Sequence, residues 1–200
     1  MNALYSMLIG YLLGSLSPSA LIGKIKKVDL RKEGTKNLGA SNTMIVFGKI
    51  YGALVMVFDI VKSYISVKIA EALFPAFTFA GILAGGASVV GHIYPFYLKF
   101  KGGKGLASFG GFVLAIDPVA FLFLLTLALI LMFAVNYGVA VPMSAGVLFP
   151  FIYGVRTKSL PLFFIALVVS ALVVYKHLPN LGKAMRGEDM KVREILHSKK

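Results

Sequence analysis

The sequence predicts an all-α integral membrane protein, a polytopic bundle of about seven transmembrane helices. Hydrophobic residues make up 58% of its 200 residues, charged residues make up only 14%, and the mean hydropathy is +0.84. So large an apolar surface cannot be buried in a single soluble core. Since the sequence has no internal repeat and no low-complexity linker, we expect residues 1–200 to form one membrane domain.

Seven hydrophobic segments are the candidates for these helices. An α-helix needs about 20 residues to cross the hydrocarbon core of a bilayer. Six of the segments have this length or nearly so, whereas residues 106–116 would have to borrow residues from their flanks. In chain order the segments are 3–23, 45–70, 72–98, 106–116, two spans within 118–155, and 160–175.

Basic residues concentrate in three clusters between the hydrophobic segments, and the formal net charge is +13. Because the clusters lie beside membrane spans, this charge does not indicate a nucleic-acid partner, and the positive-inside rule places all three in the cytoplasm. The clusters are Lys24, Lys26, Lys27, Arg31, Lys32 and Lys36; Lys99, Lys101 and Lys104; and Lys176, Lys183, Arg186, Lys191, Arg193, Lys199 and Lys200.

The predicted orientation has the N-terminus outside and the C-terminus in the cytoplasm, which requires an odd number of spans. Seven spans satisfy this condition, and five would satisfy it if residues 106–116 and a neighbouring segment were re-entrant. The loop that contains Arg156 and Lys158 is then external.

The residue types exclude several kinds of chemistry. Cysteine is absent, so the chain forms no disulfide and has no thiolate nucleophile. Three scattered histidines without an HExxH pair do not favour a catalytic zinc site. We therefore expect neither a metal nor another cofactor.

A glycine-rich loop with two lysines, residues 101–105, is the most informative segment. Adjacent glycines allow several backbone N–H groups to converge on one point, and Lys101 and Lys104 supply the charge that a phosphate needs. The loop differs from a nucleotide-binding P-loop because Lys104 is followed by Gly105 and not by Ser or Thr. The segment therefore predicts binding of a phosphorylated compound at the bilayer surface and disfavours an ATPase.

A second polar segment, residues 34–42, combines small residues with two asparagines. Small residues let the backbone approach a ligand closely, while Asn37 and Asn42 offer both donors and acceptors. Ser41 or Asn42 would alternatively cap the helix that follows, and the two roles are compatible.

Two histidines lie next to polar segments. His92 stands beside a proline turn, where we expect a structural hydrogen bond to the backbone and not a catalytic base. His177 ends the last hydrophobic segment, where it would transfer a proton, pair with an anion or cap the span. Beyond it, Val192, Ile195 and Leu196 recur at helical spacing and predict a short surface helix.

Within the hydrophobic segments, a few polar residues stand out. Asp59 and Lys62 are three residues apart, on one helical face, and would neutralise each other. Ser144 would either line a pocket or bond the backbone of its own helix.

Together these segments resemble the three signature motifs of the bacterial acyl-phosphate:glycerol-3-phosphate acyltransferase family of integral membrane proteins. Motif one corresponds to residues 34–42 and motif two to residues 91–105. Thr35 stands where the family has Ser, and Ile45 stands where the family often has a basic residue. Motif three corresponds to His177, Asn180, Gly187 and an acid that is Asp189 by spacing, with Glu188 beside it.

The resemblance implies transfer of an acyl chain from acyl phosphate to the 1-hydroxyl of glycerol 3-phosphate, giving lysophosphatidic acid and phosphate for phospholipid synthesis. It implies a catalytic group of Thr35, Asn37, Lys104, His177 and Asn180, with Lys104 on the glycerol phosphate and the other four on the acyl phosphate. The proton would go to His177 or to a phosphate oxygen of the donor. The substrate-binding residues would be Gly34, Ser41, Asn42, Gly102, Gly103, Gly105, Ser144 and Lys183, and the structural residues His92, Glu188 and Asp189.

The resemblance also implies a multi-pass protein of the bacterial cytoplasmic (inner) membrane, with its active site facing the cytoplasm. We expect a monomer whose partners are the two substrates and the lipid bilayer. A transporter for an anionic phosphorylated compound is the alternative, since basic glycine-rich loops also suit transport sites. A structural protein whose basic loops bind anionic lipids would leave the glycine setting of Lys104 unexplained.

Overall fold

A computed structural model of the protein describes residues 1–197, which contain ten α-helices and no β-strand. Lys199 and Lys200 of the third basic cluster lie outside the described residues. All seven predicted hydrophobic segments are helical, which confirms the all-α class. The helices are α1 (Asn2–Ser15), α2 (Pro18–Ile25), α3 (Ala40–Phe47), α4 (Lys49–Leu73), α5 (Ala80–Ile93), α6 (Leu106–Ile116), α7 (Pro118–Val135), α8 (Ala140–Thr157), α9 (Leu160–Met185) and α10 (Val192–His197), with a 3₁₀ turn at Phe96–Leu98.

Within residues 1–197, five segments are long and apolar enough to cross a membrane. The 11-residue α6 and the 18-residue α8 are not among them, so a count of seven spans stays a prediction. The five segments are Asn2–Ile25, Lys49–Leu73, Ala80–Leu98, Pro118–Val135 and Leu160–Met185.

The first of these segments is interrupted between α1 and α2. Pro18 occupies the first helical turn of α2, and the Ser17 hydroxyl accepts a hydrogen bond from the Ala20 N–H at 3.3 Å. Because the chain is not helical between Ser15 and Pro18, and the Ala20 N–H donates to Ser17, the carbonyl groups at the end of α1 lack their usual helical partners. The interruption therefore leaves the Leu16 carbonyl oxygen available to a side chain from another helix.

The chain divides into two compact units, and the first, Met1–Ile116, contains motifs one and two. Its closest helix contact joins α1 to α5. A Cβ atom added at Gly14 would overlap the backbone of Ser88, and one added at Gly10 would overlap the backbone of Ala84. Such small residues let two membrane helices approach at backbone distance. Helix α4 packs beside both α5 and α6 and carries Asp59 and Lys62 into the interior of this unit.

The second unit begins at Asp117 and contains motif three. The Asp117 carboxylate caps α7 by accepting from the Ala120 N–H at 2.9 Å, and it also pairs with Arg156 at 2.5 Å. The predicted C-terminal surface helix is present as α10, where the Arg193 N–H donates to the Asn136 side chain at 3.1 Å. The side chains of Ile195 and Leu196, which also entered that prediction, lie outside the described residues.

Candidate active site

The glycine-rich loop folds back on the end of α5. The Gly102 N–H donates to the Ile93 carbonyl at 3.0 Å, and the Gly103 N–H donates to the His92 carbonyl at 3.1 Å. A Cβ atom at Gly103 would overlap both the His92 ring at Nε2 and the Leu38 carbonyl oxygen. Only glycine fits at this position without moving one of those neighbours.

These hydrogen bonds correct one prediction from the sequence. The N–H groups of Gly102 and Gly103 do not converge on a phosphate, because both donate to carbonyl groups of α5. The next N–H groups along the chain belong to Lys104, Gly105 and the first turn of α6, and a helix N-terminus attracts anions through its unpaired donors and its dipole. Gly105 turns the chain into α6 with a φ of +89°, and the half-buried Lys104 precedes it.

Motif one is organised around Asn42, which is fully buried. Its amide nitrogen donates to the carbonyl groups of Leu30, Glu33 and Asn37 at 2.8, 3.1 and 2.9 Å, and its oxygen accepts from the Thr35 N–H at 2.6 Å. One side chain thus fixes the loop that carries the predicted catalytic residues.

The alternative role predicted for Ser41 and Asn42, capping of the next helix, is wrong. The N-cap of α3 is Gly39, with no side-chain hydrogen bond, and Asn42 lies within the first turn. Its amide bonds the preceding loop because that loop curls over the helix start. Gly34, Thr35 and Ser41 are exposed, and Asn37 is half-buried.

The structure brings motifs one and two together within the first unit. The contact is made by the buried Leu38, whose carbonyl oxygen lies against Gly103, and by the His92 ring beside the same glycine. The exposed Thr35 of motif one and the half-buried Lys104 of motif two therefore extend from loops that touch each other.

His92 is buried, as a structural residue should be, but its partner differs from the one predicted. Its Nδ1 atom lies 3.1 Å from Lys62 Nζ and 3.3 Å from Asp59 Oδ1, and not against the backbone of the proline turn. The predicted pairing of Asp59 with Lys62 is confirmed, at 2.7 Å. Sequence reasoning found the two halves of this cluster but not their contact, because no sequence spacing connects α4 to the end of α5.

A cavity of about 420 Å³ that sequence reasoning missed lies beside α2. Cationic and apolar residues share its lining, which includes Lys24, Lys27, Arg31, Leu38 and Leu98. Arg31 pairs with Asp29 at 2.9 Å, and this hydrogen bond holds the pKa of the Asp29 carboxyl below its usual value. The lining includes none of the predicted site residues.

Motif three lies in the second unit, on α9 and the turn that follows. Helix α9 continues beyond the predicted hydrophobic segment 160–175, through Pro179 to Met185. His177 therefore lies inside the helix, and the predicted capping role is wrong. A proline removes one helical hydrogen bond without having to end a helix. His177 is 8% exposed, and its Nδ1–H donates to the Val173 carbonyl at 2.8 Å.

The remaining predicted residues of this unit are less enclosed. The Ser144 hydroxyl donates to the Ala140 carbonyl of its own helix at 2.7 Å, as serines in membrane helices often do. Glu188 pairs with Arg186 at 2.9 Å on the surface, and this bond lowers the pKa of its carboxyl. Asn180 and Asp189 are half-buried, whereas Lys183 is exposed.

Sequence comparison links the chain to glycerol-3-phosphate acyltransferases over nearly its whole length. The family model described as glycerol-3-phosphate acyltransferase matches residues 4–187. The relative of that name from Aquifex aeolicus (strain VF5) is 36% identical over 192 residues, which cover 94% of this chain and 98% of the relative. The relative from Thermosipho melanesiensis (strain DSM 12029 / CIP 104789 / BI429) is 35% identical over 195 residues, covering 98% and 95%.

Two solved structures of PlsY (YgiH), an integral membrane glycerol 3-phosphate acyltransferase, have a similar fold. Its glycerol 3-phosphate form matches with a TM-score of 0.86 and 35% identity, and covers 99% of this chain and 100% of that chain. Its lysophosphatidic acid form matches with a TM-score of 0.87 and 32% identity, with the same coverage.

The apolar helices and the matches to known proteins together define an integral membrane protein of the acyltransferase class. The chain belongs to the glycerol-3-phosphate acyltransferase family, whose model matches residues 4–187.

Proposed function

We propose that the protein transfers an acyl chain from acyl phosphate to the 1-hydroxyl of glycerol 3-phosphate. The hydroxyl oxygen attacks the acyl carbonyl carbon, the bond from that carbon to the phosphate oxygen breaks, and lysophosphatidic acid and inorganic phosphate are the products. The observation that carries the proposal is the contact between the Lys104 loop and motif one at Leu38 and Gly103. This contact supports the proposal because it brings together the loops that we assign to the two phosphate-bearing substrates.

Lys104 and the start of α6 are assigned to the phosphate of glycerol 3-phosphate. The ammonium supplies a full positive charge, and the first-turn N–H groups of the helix add partial positive charges aligned with its axis. A cation and a helix N-terminus together offset the repulsion that two phosphate groups experience when they are brought close.

Thr35 and Asn37 are assigned to the acyl phosphate. The Thr35 N–H donates to Asn42 Oδ1 at 2.6 Å, and this hydrogen bond fixes the backbone of Thr35 while its side chain remains exposed. The Asn42 amide nitrogen donates to the Asn37 carbonyl at 2.9 Å, and this hydrogen bond fixes the backbone of Asn37 in the same way. A rigid loop of this kind holds donors where charge develops on the carbonyl oxygen, with little reorganisation.

His177 and Asn180 are assigned to the same substrate, and the base is either His177 or a phosphate oxygen of the donor. Because Nδ1 of His177 donates to the Val173 carbonyl, a neutral ring has its lone pair on Nε2. This is the protonation pattern that a general base requires.

The cellular setting of the proposal is a bacterial cytoplasmic membrane, with the site facing the cytoplasm and the protein acting as a monomer. The acyl chain enters from the bilayer. The buried charges of α4 give no support to the transporter alternative, since they pair with each other and with His92 at 2.7–3.3 Å.

The experiment that tests the proposal compares acyl donors. Purified protein in detergent or lipid receives labelled glycerol 3-phosphate with either palmitoyl phosphate or palmitoyl coenzyme A. We expect labelled lysophosphatidic acid from palmitoyl phosphate alone. Product from the thioester alone would overturn the donor assignment, and no product from either donor would overturn the enzymatic proposal.

A further inference from the structure

We propose that Lys62 and Asp59 are positioning residues for the glycine-rich loop, which they serve by holding His92 in the tautomer that carries its proton on Nε2. The ring then presents a fixed N–H donor beside Gly103. The kinetic part of this inference rests on the proposed function, whereas the tautomer itself does not.

Lys62 makes Nδ1 of His92 an acceptor. A lysine ammonium has three N–H donors and no acceptor. Three atoms lie close to Nζ: the Leu16 carbonyl oxygen at 2.6 Å, Asp59 Oδ1 at 2.7 Å and His92 Nδ1 at 3.1 Å. The contacts with Leu16 and His92 are hydrogen bonds, whereas Asp59 Oδ1 forms an ion pair without hydrogen-bond geometry. The Leu16 carbonyl is available because the chain breaks between α1 and α2. Because Lys62 only donates, Nδ1 of His92 accepts from it and carries no proton.

The charges of the buried cluster balance without a proton on His92 Nδ1. The side chains of Lys62 and Asp59 are only 3% and 2% exposed, and their opposite charges cancel. A protonated His92 would add an uncompensated positive charge to a site removed from water, which is unfavourable. Neighbouring polar groups bond elsewhere, since Ser66 donates to the Lys62 carbonyl and Ser63 bonds Ser88, both at 2.7 Å. The ring is therefore neutral.

The proton of the neutral His92 ring is on Nε2. A neutral imidazole with an unprotonated Nδ1 carries its proton on the other nitrogen. Nε2 is the ring atom that lies against Gly103, where motif one also approaches through Leu38. The N–H thus stands at the junction of motifs one and two, as a donor for an anion held by the loop. In the opposite tautomer, with the proton on Nδ1 and donated to Asp59, the lone pair of Nε2 would face the anion.

The tautomer is tested directly by long-range ¹H–¹⁵N NMR of protein labelled at histidine. The chain has three histidines, and His177→Gln and His197→Gln variants assign the signals of the other two. We expect the His92 signal to show a protonated Nε2 and an unprotonated Nδ1. A protonated Nδ1 would overturn the inference, whatever activity the protein has.

The function of the donor is tested by two substitutions of His92. Glutamine extends an amide nitrogen to about the position of Nε2, whereas asparagine reaches only about as far as Nδ1. We expect His92→Gln to keep the KM for glycerol 3-phosphate within about threefold, and His92→Asn to raise it by about tenfold with the KM for acyl phosphate unchanged. Equal KM values for glycerol 3-phosphate in the two variants would count against the donor.

The contribution of the ion pair is tested with a neutral double variant, Asp59→Asn with Lys62→Met, which leaves no unpaired buried charge. We expect the KM for glycerol 3-phosphate to rise by about tenfold and the His92 signals to indicate a mixture of tautomers. The matched control is Lys68→Met with Glu71→Gln, which removes an exposed pair of the same spacing from α4. The inference fails if both double variants give the same KM and the same His92 tautomer.

Discussion

At the scale of single residues, the two buried histidines show how the same type of side chain can act as a proton acceptor at one position and as a donor at another. The Nδ1–H of His177 donates to the Val173 carbonyl, so that its lone pair is on Nε2. His92 has Nδ1 within 3.1 Å of Lys62, which assigns the proton to Nε2. The first arrangement suits proton abstraction and the second suits donation to an anion. Hydrogen-bond partners, which the sequence does not show, decide between them.

Lys104 and Lys99 differ sharply in their predicted contributions to substrate binding, although they are five residues apart. We expect Lys104→Ala to raise the KM for glycerol 3-phosphate by at least about tenfold, because it removes a full charge beside the helix N-terminus. Lys99 is exposed and lies outside the glycine-rich loop, where we expect it only to anchor the chain at the cytoplasmic surface, so we expect Lys99→Ala to change this KM by less than about twofold. Steady-state assays with varied glycerol 3-phosphate measure both, and equal effects would contradict the phosphate assignment.

Asn42 is the residue on which the motif-one loop depends most. In Asn42→Asp, an oxygen replaces the amide nitrogen, whose two N–H donors are shared among three carbonyl groups. Both donors are lost, and the new oxygen faces carbonyl oxygens that it repels. We expect a loss of about 3 kcal/mol, or a Tm lower by about 6–12 °C in detergent. Ser41→Ala, at the exposed neighbouring position, serves as the control and is expected to leave the Tm nearly unchanged. A normal Tm for Asn42→Asp would show that the loop is held by other contacts.

The sequence singled out the polar segments that we assign to the site, but not the contacts that their residues make. Those segments are residues 34–42, residues 91–105 and the region of His177, and their assignment to the site stays a prediction. Hydropathy and motif order did not reveal that Asn42 bonds four backbone groups or that Gly102 and Gly103 donate to α5. Those roles depend on which carbonyl groups the folded loops bring near, and local sequence does not specify that.

At the scale of helices, the sequence predicted the hydrophobic segments well but not the break in the first one or the length of the last one. Pro18 and Pro179 show why. Pro18 starts α2 after a break, whereas Pro179 lies inside α9. Whether a proline ends a helix depends on the packing around it, because one lost hydrogen bond is a small cost when neighbouring helices support the chain.

The crossing of α1 and α5 makes a prediction at this scale. A Cβ atom at Gly14 would overlap the backbone of Ser88, so Gly14→Val must separate the two helices. We expect the variant to lose more than about 3 kcal/mol of stability or to fail to fold. Gly138→Ala is the control, since a Cβ atom there has nothing within 4 Å. Thermal unfolding in detergent compares the two, and similar Tm values would contradict the close helix contact.

At the scale of the whole molecule, the predicted orientation is testable because the chain has no native cysteine. We expect Lys158→Cys to react with a membrane-impermeant maleimide in intact spheroplasts. Lys32→Cys, in the first basic cluster, is expected to react only after permeabilisation. Both positions are exposed, so a difference in labelling reports the side of the membrane. The reverse pattern would place the basic clusters outside and overturn the cytoplasmic site.

The most direct test of the central claim is the stoichiometry of the reaction, followed by ³¹P NMR with purified protein, palmitoyl phosphate and glycerol 3-phosphate. Acyl transfer predicts one inorganic phosphate for each lysophosphatidic acid formed, with acyl phosphate stable when glycerol 3-phosphate is omitted. Release of phosphate at the same rate without glycerol 3-phosphate would identify hydrolysis and contradict the account.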